Sequence, residues 1–164
     1  PVILCQVENE HWASGVYAHD QHQRTLADAA IARGVEVPQY TCMGAMMMCP
    51  FGLAPSTLMP TPKMVLTSNM VAANIMDHKP MVNVLPFGAC TSLANPTVAA
   101  ATSAALGVLT PMPCIPNTPA PWVPGAVTVI LENSPALNNT STLNCMWGGV
   151  ITFTNPGQFT HMIP

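Results

Sequence analysis

Proline residues recur at short intervals along most of this chain, and their spacing limits the structures that it can form. The sequence contains 18 prolines and 10 glycines in 164 residues, and every proline except Pro1 and Pro38 lies after residue 40. Proline lacks a backbone N–H and fixes its own φ angle, so it interrupts both helices and central strands. Residues 41–164 are therefore predicted to form a mainly β body of short strands and tight turns.

One segment of this body has the signals of a short α-helix. Asn95 is a favourable N-cap, and Pro96 stands at the first helical position, where proline is tolerated best. Residues 97–106 are rich in alanine, and Gly107 is a natural terminator. The sequence thus predicts one short helix at about 96–106.

Charged side chains are concentrated at the start of the chain. Residues 1–40 contain seven of the eleven charged residues (Lys, Arg, Asp and Glu), and all 12 methionines lie after residue 40. The charged residues after position 40 are Lys63, Asp77, Lys79 and Glu132. This shift predicts a boundary near residue 40, between a small α+β segment (strand, helix, strand) at 1–40 and the β body at 41–164.

The low charge excludes some classes of function. The net charge is −3, and the few cations leave no basic surface for nucleic-acid binding. Only 7% of the residues are charged, against a usual share of about 25%. We therefore expect much of the surface of 41–164 to be covered by partners or built from uncharged polar groups.

The first residues lack the pattern of a secretory signal, because no basic residue precedes the apolar run at 1–5 and Glu8 and Glu10 follow it. The longest uncharged, weakly polar stretch, at 96–109, is too short to cross a bilayer as a helix. The chain is therefore expected to be assembled in the cytoplasm. In that compartment its six cysteines are expected to be metal ligands or buried thiols before disulfides.

Two stretches of the β body resemble each other. Residues 69–74 match residues 133–138, with Asn at both ends of each stretch, and each follows a β-prone run. Each stretch is predicted to form a tight turn and the return strand of a hairpin. Two similar hairpins indicate pseudo-symmetric packing, with chance similarity between common turn residues as the alternative.

Four cysteines lie in turn-like sequences of the β body: Cys49, Cys90, Cys114 and Cys145. Four thiolates are a ligand set of closed, tetrahedral structural zinc sites. Their separations match no zinc-finger spacing, so buried free thiols are the alternative. A body of short, proline-interrupted strands has few other stabilising features, and this favours structural zinc at these four positions.

Seven longer motifs follow one another along residues 41–164: GAMMMCPFG at 44–52, NIMDHKP at 74–80, PFGAC at 86–90, SLANPTVAAAT at 92–102, GVLTPMPC at 107–114, APWVPG at 120–125 and WGGVI at 147–151. Together these motifs resemble a branch of the PAAR-like proteins that was once filed as a domain of unknown function. Residues 1–40 fall outside the resemblance.

The resemblance implies both a fold and a function. PAAR-like proteins are small cones of β-hairpins with pseudo-threefold character. Their base sits on a trimeric β-helical spike protein and their apex holds a metal. They are the tips of contractile injection systems, which include type VI secretion and phage-tail-like particles. For this chain the resemblance implies a structural protein, not an enzyme, that sharpens the spike for membrane puncture, attaches effector cargo and leaves the cell on firing.

The sequence departs from the family pattern in two respects. Better-known members bind their metal mostly through His with Cys, whereas residues 41–164 contain only His78 and His161. We therefore expect the four motif cysteines to hold the zinc, with Cys42, His78 and His161 as alternative ligands. The Pro-Ala-Ala-Arg motif of the family has its nearest counterparts at 71–74 and 135–138.

Two other functions are compatible with the cysteines. A thiol-dependent enzyme or toxin fragment would use Cys42 or Cys49 as nucleophile and His78 as base, although neither lies in the signature of a known protease class. A secreted binding domain would instead pair the four cysteines as disulfides. Without such a role, His78 is predicted to lie in a solvated turn with Asp77 and Lys79. Residues 1–40 are compatible with a cargo adaptor, a brace on the spike or a small effector fragment.

Overall fold

The structure of the chain is a computed structural model, and it describes residues 38–163. In this part the chain is mainly β, with short antiparallel strands and one short helix, as predicted. The strand–helix–strand segment predicted at 1–40 lies outside the described residues except for its last three positions. Within 38–163 no helix is long and apolar enough to cross a membrane.

The elements follow in this order: β1 (Met46–Met48), β2 (Ser56–Thr57), β3 (Leu66–Thr67), β4 (Met70–Val71), β5 (Ala89–Cys90), α1 (Pro96–Ala104), β6 (Met112–Pro113), β7 (Ala126–Leu131), β8 (Ser134–Ala136), β9 (Thr142–Asn144) and β10 (Val150–Asn155). An antiparallel sheet has the strand order β2-β1-β10-β9, and the remaining strands pair as β3–β4, β5–β6 and β7–β8. The strands are short because proline and glycine interrupt the chain between them.

The helix begins as the sequence predicts and ends slightly earlier. The Asn95 side chain accepts a hydrogen bond from the Thr97 N–H at 3.1 Å, and Pro96 takes the first helical position. The helix ends at Ala104 because the chain turns into the left-handed region at Leu106, whose φ is 55°. The predicted end at residue 106 is therefore two residues too late.

Both hairpins predicted from the internal similarity are present. The β3–β4 turn has φ angles of 50° and 62° at Ser68 and Asn69, and the β7–β8 turn has 49° and 61° at Glu132 and Asn133. Positive φ at both central residues defines the two-residue type I′ turn that suits tight hairpins. The similarity between 69–74 and 133–138 therefore reflects equivalent structure.

Three chain segments that are far apart in sequence meet in a closed ring of backbone hydrogen bonds. The Thr41 N–H donates to the Leu137 carbonyl at 2.9 Å, the Leu137 N–H to the Ala73 carbonyl at 3.0 Å, and the Ala73 N–H to the Thr41 carbonyl at 3.1 Å. Each residue donates to one neighbour and accepts from the other, so the ring has a pseudo-threefold axis. We call these three residues the central ring.

The pseudo-threefold relation extends on both sides of the central ring. Isolated β-bridges join equivalent positions: Tyr40 with Asn138, Cys42 with Ala72, and Asn74 with Ala136. Outside them, equivalent N–H groups donate to equivalent carbonyls: Met43 to Val71, Ile75 to Pro135, and Asn139 to Gln39. Each segment then turns through the same hydrogen bond of 3.1 Å: Ala45 to Cys42, Asp77 to Asn74, and Ser141 to Asn138. Segments 39–45, 71–77 and 135–141 are thus three copies of one structural unit.

Each copy is preceded by a two-stranded arm. The β3–β4 hairpin is arm 2 and the β7–β8 hairpin is arm 3. Arm 1 is different, because it pairs residues 38–40 with residues 161–163 from the other end of the described chain. The Tyr40 N–H donates to the His161 carbonyl at 3.0 Å, and the Ile163 N–H donates to the Pro38 carbonyl at 2.8 Å.

The buried side chains form two clusters. The smaller one lies among the arms and includes Tyr40, Ala72 and Ala136. The larger one, which we call the thiol-side core, is built around Phe87 and Trp122. Trp122 is fully buried, its Nε1 donates to the Asp77 carbonyl at 2.9 Å, and its ring stacks on Phe153 with 4.6 Å between centroids.

Asp77 does not lie in the solvated turn that the sequence predicts. Its carboxylate is fully buried and forms an ion pair of 2.7 Å with Lys63, whose side chain is equally buried. The carboxylate also accepts hydrogen bonds from the Thr61 and Asn74 N–H groups at 3.0 and 2.9 Å. A buried charge is tolerated when it is paired and fully hydrogen-bonded. The prediction was wrong because this pairing joins residues on separate turns.

Two buried threonines allow a test of whether the side-chain hydroxyl of the central-ring residue Thr41 lacks a hydrogen-bond partner. Thr41 is fully buried and its Oγ1 has no hydrogen-bond partner within the described residues, whereas Thr118 Oγ1 donates to the His78 carbonyl at 2.6 Å. Thr41→Val should leave the free energy of unfolding unchanged or raise it by about 1 kcal/mol, and Thr118→Val should lower it by about 1–3 kcal/mol. Urea unfolding measures both changes. Equal losses in the two variants would show that the Thr41 hydroxyl has a partner.

Candidate functional site

The four cysteines predicted as zinc ligands lie together in the thiol-side core. Cys49, Cys90, Cys114 and Cys145 are all buried members of this one cluster, and all are free thiols. We call them the four-thiol cluster. Two different structural units, a sheet end and a hairpin, bring them together.

Cys49 and Cys145 come from the same end of the four-stranded sheet. Cys49 follows β1 and Cys145 follows β9. These two strands flank β10, and both run antiparallel to it, so their ends lie at the same end of the sheet. Each cysteine then starts a similar turn, in which the Gly52 N–H donates to the Cys49 carbonyl at 3.0 Å and the Gly148 N–H to the Cys145 carbonyl at 2.9 Å. The two turns are equivalent, since each cysteine lies eight residues after a central-ring residue, Thr41 or Leu137.

Cys90 and Cys114 come from the β5–β6 hairpin. Cys90 pairs with Met112, and the Cys114 N–H donates to the Gly88 carbonyl at 2.7 Å, so the two cysteines are diagonal neighbours. Diagonal positions of an antiparallel pair lie on the same face. Cys90 and Cys114 therefore carry their thiols on one face of the hairpin.

A short backbone contact holds the hairpin against the sheet. Gly52 forms a β-bridge with Cys90, and the Leu53 N–H donates to the Ala89 carbonyl at 2.9 Å. The turn that begins at Cys49 is thus fixed to the strand that carries Cys90. A side chain at Gly52 would collide with Phe87, because a Cβ there would lie 2.5 Å from the Phe87 Cβ.

Backbone N–H groups lie near two of the sulfur atoms. Burial raises the pKa of the Cys49 thiol, and hydrogen bonding from the backbone of Phe51 and Gly52 offsets part of that rise. The Asn117 N–H donates to Cys145 Sγ at 3.5 Å. Hydrogen bonds of this kind favour the charged thiolate, which is the form that binds a metal. The donor set and its surroundings therefore fit a zinc ion.

Burial opposes deprotonation of these thiols. It raises the pKa of Cys49, and together with the neighbouring Cys90 thiol it raises the pKa of Cys114 from an ordinary 9.0 to about 12. Within 38–163 no three His, Cys, Asp or Glu side chains already have the arrangement of a metal site. The zinc site thus stays a prediction, and metal binding there would have to release thiol protons.

The alternative ligands have other partners. Cys42 is buried beside the central ring, and its Sγ donates to the Pro156 carbonyl at 3.7 Å. His78 Nδ1 is hydrogen-bonded to the carbonyl of Met76 at 3.0 Å. His161 belongs to arm 1, where its Nδ1 shares a hydrogen bond with Thr67 Oγ1.

Sequence reasoning missed one residue of the site, Gly149. Its N-terminal neighbour Gly148 has a φ of 84° in the turn after Cys145, and the Gly149 carbonyl accepts a hydrogen bond from the Cys145 N–H at 2.8 Å. A Cβ at Gly149 would lie 2.6 Å from Cys49 Sγ. The consecutive glycines after Cys145 were the available signal, since paired glycines often mark a close approach.

The sequence pattern of one known family, described as Domain of unknown function (DUF4280), matches residues 41–158. The chain belongs to this family. The matched DUF4280 range contains the four-thiol cluster and the central ring. No curated protein and no solved structure matches the chain.

Replacement of Gly149 tests whether the DUF4280 chain binds zinc through Cys49. Gly149→Ala should displace Cys49 Sγ and reduce bound zinc well below one ion per chain, as measured by elemental analysis of the purified protein. Gly107→Ala is the control, because the φ of 90° strains an alanine there while its Cβ meets no atom within 4 Å and displaces no thiol. Full zinc content in Gly149→Ala would remove Cys49 from the ligand set.

The raised thiol pKa values predict how the stability of the metal-free protein depends on pH. Below pH 9 the Cys114 thiol is protonated in both the folded and the unfolded chain. Between pH 9 and about 12 the unfolded chain loses this proton and the folded chain retains it. Stability should therefore fall as pH rises through this range.

Cys114→Ser should reduce this alkaline slope, and Cys49 and Cys42, whose pKa values burial also raises, should account for the remainder. Thermal unfolding at a series of pH values, in the presence of a chelator, measures the slope. Identical slopes in the variant and the wild type would contradict the assignment.

Proposed function

We propose that this chain is a PAAR-like structural tip that caps the trimeric β-helical spike of a contractile injection system. The observation that carries the proposal is the central ring, in which Thr41, Ala73 and Leu137 give a single chain a pseudo-threefold axis. The role is structural, so the proposal includes no catalytic residue.

A single chain that caps a trimer must present similar contacts to three identical subunits. Closed symmetric assemblies fulfil this by repetition of the same surface. Here the three copies of the central unit supply the repetition within one chain, since they share the ring, the flanking bridges and the turns. Three equivalent surfaces match a partner that has three identical subunits, which is why the arrangement favours a trimeric partner.

The arms carry apolar side chains at equivalent positions. Leu66, Val127 and Met162 each follow the residue that pairs with the position just before a central-ring residue: Val65 pairs with Ala72, Ala126 with Ala136 and His161 with Tyr40. Leu66 is 44% exposed and Val127 is 78% exposed. Stable interfaces have apolar centres depleted in charge. One apolar contact from each arm is thus suited to an apolar ring on the blunt end of a spike.

The four-thiol cluster supplies rigidity on the side of the molecule away from the arms. We propose that Cys49, Cys90, Cys114 and Cys145 hold one structural zinc ion. A closed site with four protein ligands cross-links the chain without catalysis. It would tie the sheet end to the β5–β6 hairpin, so that a tip built from short strands withstands compression when the particle pushes it through a target membrane.

Arm 1 is the place where additional chain joins the tip. Pro38 and Ile163 are hydrogen-bonded to each other, so residues 1–37 and anything after residue 163 are attached at one arm. We propose that effector cargo is linked there, that the particle is assembled in the cytoplasm, and that tip and cargo leave the cell together on firing.

Binding to a spike trimer tests the proposal. The wild-type chain, co-expressed with a trimeric β-helical spike protein from the same organism, should co-purify at one chain per trimer, as measured by light scattering. Val127→Asp and Leu66→Asp should weaken the complex at least about tenfold, because each places an unpaired charge in the interface.

Leu53→Asp is the matched control for these variants. Leu53 is 65% exposed, but it follows the Cys49 turn on the thiol side. The control should bind as tightly as the wild type. A complex in which Leu53→Asp is as weak as Val127→Asp would show that the arms are not the docking face, and absence of any complex would contradict the tip function.

A further inference from the structure

The turn after α1 holds a leucine where helices usually have glycine. The Leu106 N–H donates to the Ser103 carbonyl at 3.2 Å and the Gly107 N–H to the Thr102 carbonyl at 2.9 Å. These two bonds define a Schellman motif, and Leu106, with a φ of 55°, occupies its left-handed position. Gly and Asn adopt this conformation with little strain, whereas a leucine there is strained.

The side chain of Leu106 makes little packing contact that could compensate for the backbone strain. Leu106 is 97% exposed, Val108 is 69% exposed and Leu109 is 49% exposed. A Cβ at Gly107 would meet no atom within 4 Å, so the space beside the turn is open there. We call residues 106–109 the apolar loop. Strain without a structural benefit is typical of functional positions.

The surroundings of the apolar loop contain no charged residues in sequence. Between Lys79 and Glu132 the chain has no Asp, Glu, Lys, Arg or His. Charged side chains strongly oppose transfer into hydrocarbon. Their absence from this long stretch makes the apolar loop compatible with a lipid environment, and it removes the rim charges that accompany most protein interfaces.

The apolar loop belongs to the thiol side of the molecule. It connects α1 to β6, which is followed directly by Cys114, and the Thr110 N–H ties its end to Thr102 Oγ1 at 3.2 Å. The helix itself contributes Val98 to the thiol-side core. The loop is therefore separate from the arms, which close the other buried cluster.

We infer that the apolar loop inserts into a lipid bilayer, with Leu106 as its leading side chain. Protruding apolar side chains enter the boundary between headgroups and acyl chains in proportion to the apolar area that they bury. This inference deepens the proposed function and rests on it for the biological setting, because a tip meets a membrane before any other part of the particle does.

Fluorescence quenching by brominated lipids tests the insertion directly. Leu106→Trp is mixed with phosphatidylcholine vesicles that carry brominated acyl chains, and the wild type is measured alongside to subtract the native tryptophans. Val127→Trp is the control, because Val127 is also well exposed, at 78% against 97% for Leu106, but lies on arm 3. Emission from Leu106→Trp should shift to the blue and be quenched at least about twofold more than that of Val127→Trp, as expected for a side chain at the acyl boundary. Equal quenching, or none, would overturn the inference.

A second variant separates insertion from folding. Leu106→Asn replaces the strained leucine with a residue that tolerates the left-handed conformation, so the Tm of the variant should equal or exceed that of the wild type. Its insertion into a lipid monolayer, measured as the rise in surface pressure, should fall to the background level. A lowered Tm with unchanged insertion would mean that Leu106 is a structural residue and would overturn the inference.

The outcome is independent of spike binding. Leu106→Asn should still co-purify with the spike trimer at one chain per trimer, because the arms are unchanged. Loss of spike binding by the wild type would contradict the tip function alone, whereas absence of quenching with intact spike binding would contradict the apolar loop alone.

Discussion

The central ring is the interaction on which the rest of this structure depends. Thr41, Ala73 and Leu137 are far apart in sequence, and each donates one backbone hydrogen bond and accepts another within the ring. All three residues are fully buried, so a broken bond would leave a donor and an acceptor without water. Any change that displaces one segment therefore disturbs the other two, and a body of short strands gains cooperativity that its individual sheets lack.

The two proposed functional faces, the arms and the thiol side, are both positioned by the central ring. Along the chain, an arm precedes each ring residue and an equivalent turn follows it. Two of these turns lead into β1 and β9, whose ends present Cys49 and Cys145 to the four-thiol cluster. The third turn contains Asp77, which is equivalent to Ala45 and Ser141 and forms the ion pair with Lys63, and it leads to no cysteine. The pseudo-threefold arrangement therefore holds for the arms but not for the thiol side, because there the β5–β6 hairpin contributes Cys90 and Cys114.

Local sequence signals predicted the local elements and little of their assembly. The Asn95 cap and Pro96 predicted the helix, the repeated Asn-bounded stretches predicted the two hairpins, and the turn-like cysteine sequences predicted the thiols that gather in one cluster. The family resemblance implied a pseudo-threefold character, but the residues that form the ring were not predicted, because its bonds join main-chain atoms and do not depend on residue type.

The burial of Asp77 and the strained Leu106 were missed for a different reason. The neighbours of each residue in sequence give no sign of its environment. The burial of Asp77 depends on its pairing with Lys63, and the strain at Leu106 depends on the turn that ends the helix. The most direct test of the account is an electron cryomicroscopy structure of the chain bound to the proposed spike trimer, determined without imposed symmetry. The account predicts one chain per trimer with the central ring on the spike axis and one arm against each subunit. A chain bound to the side of the spike, or with its thiol side against it, would contradict it.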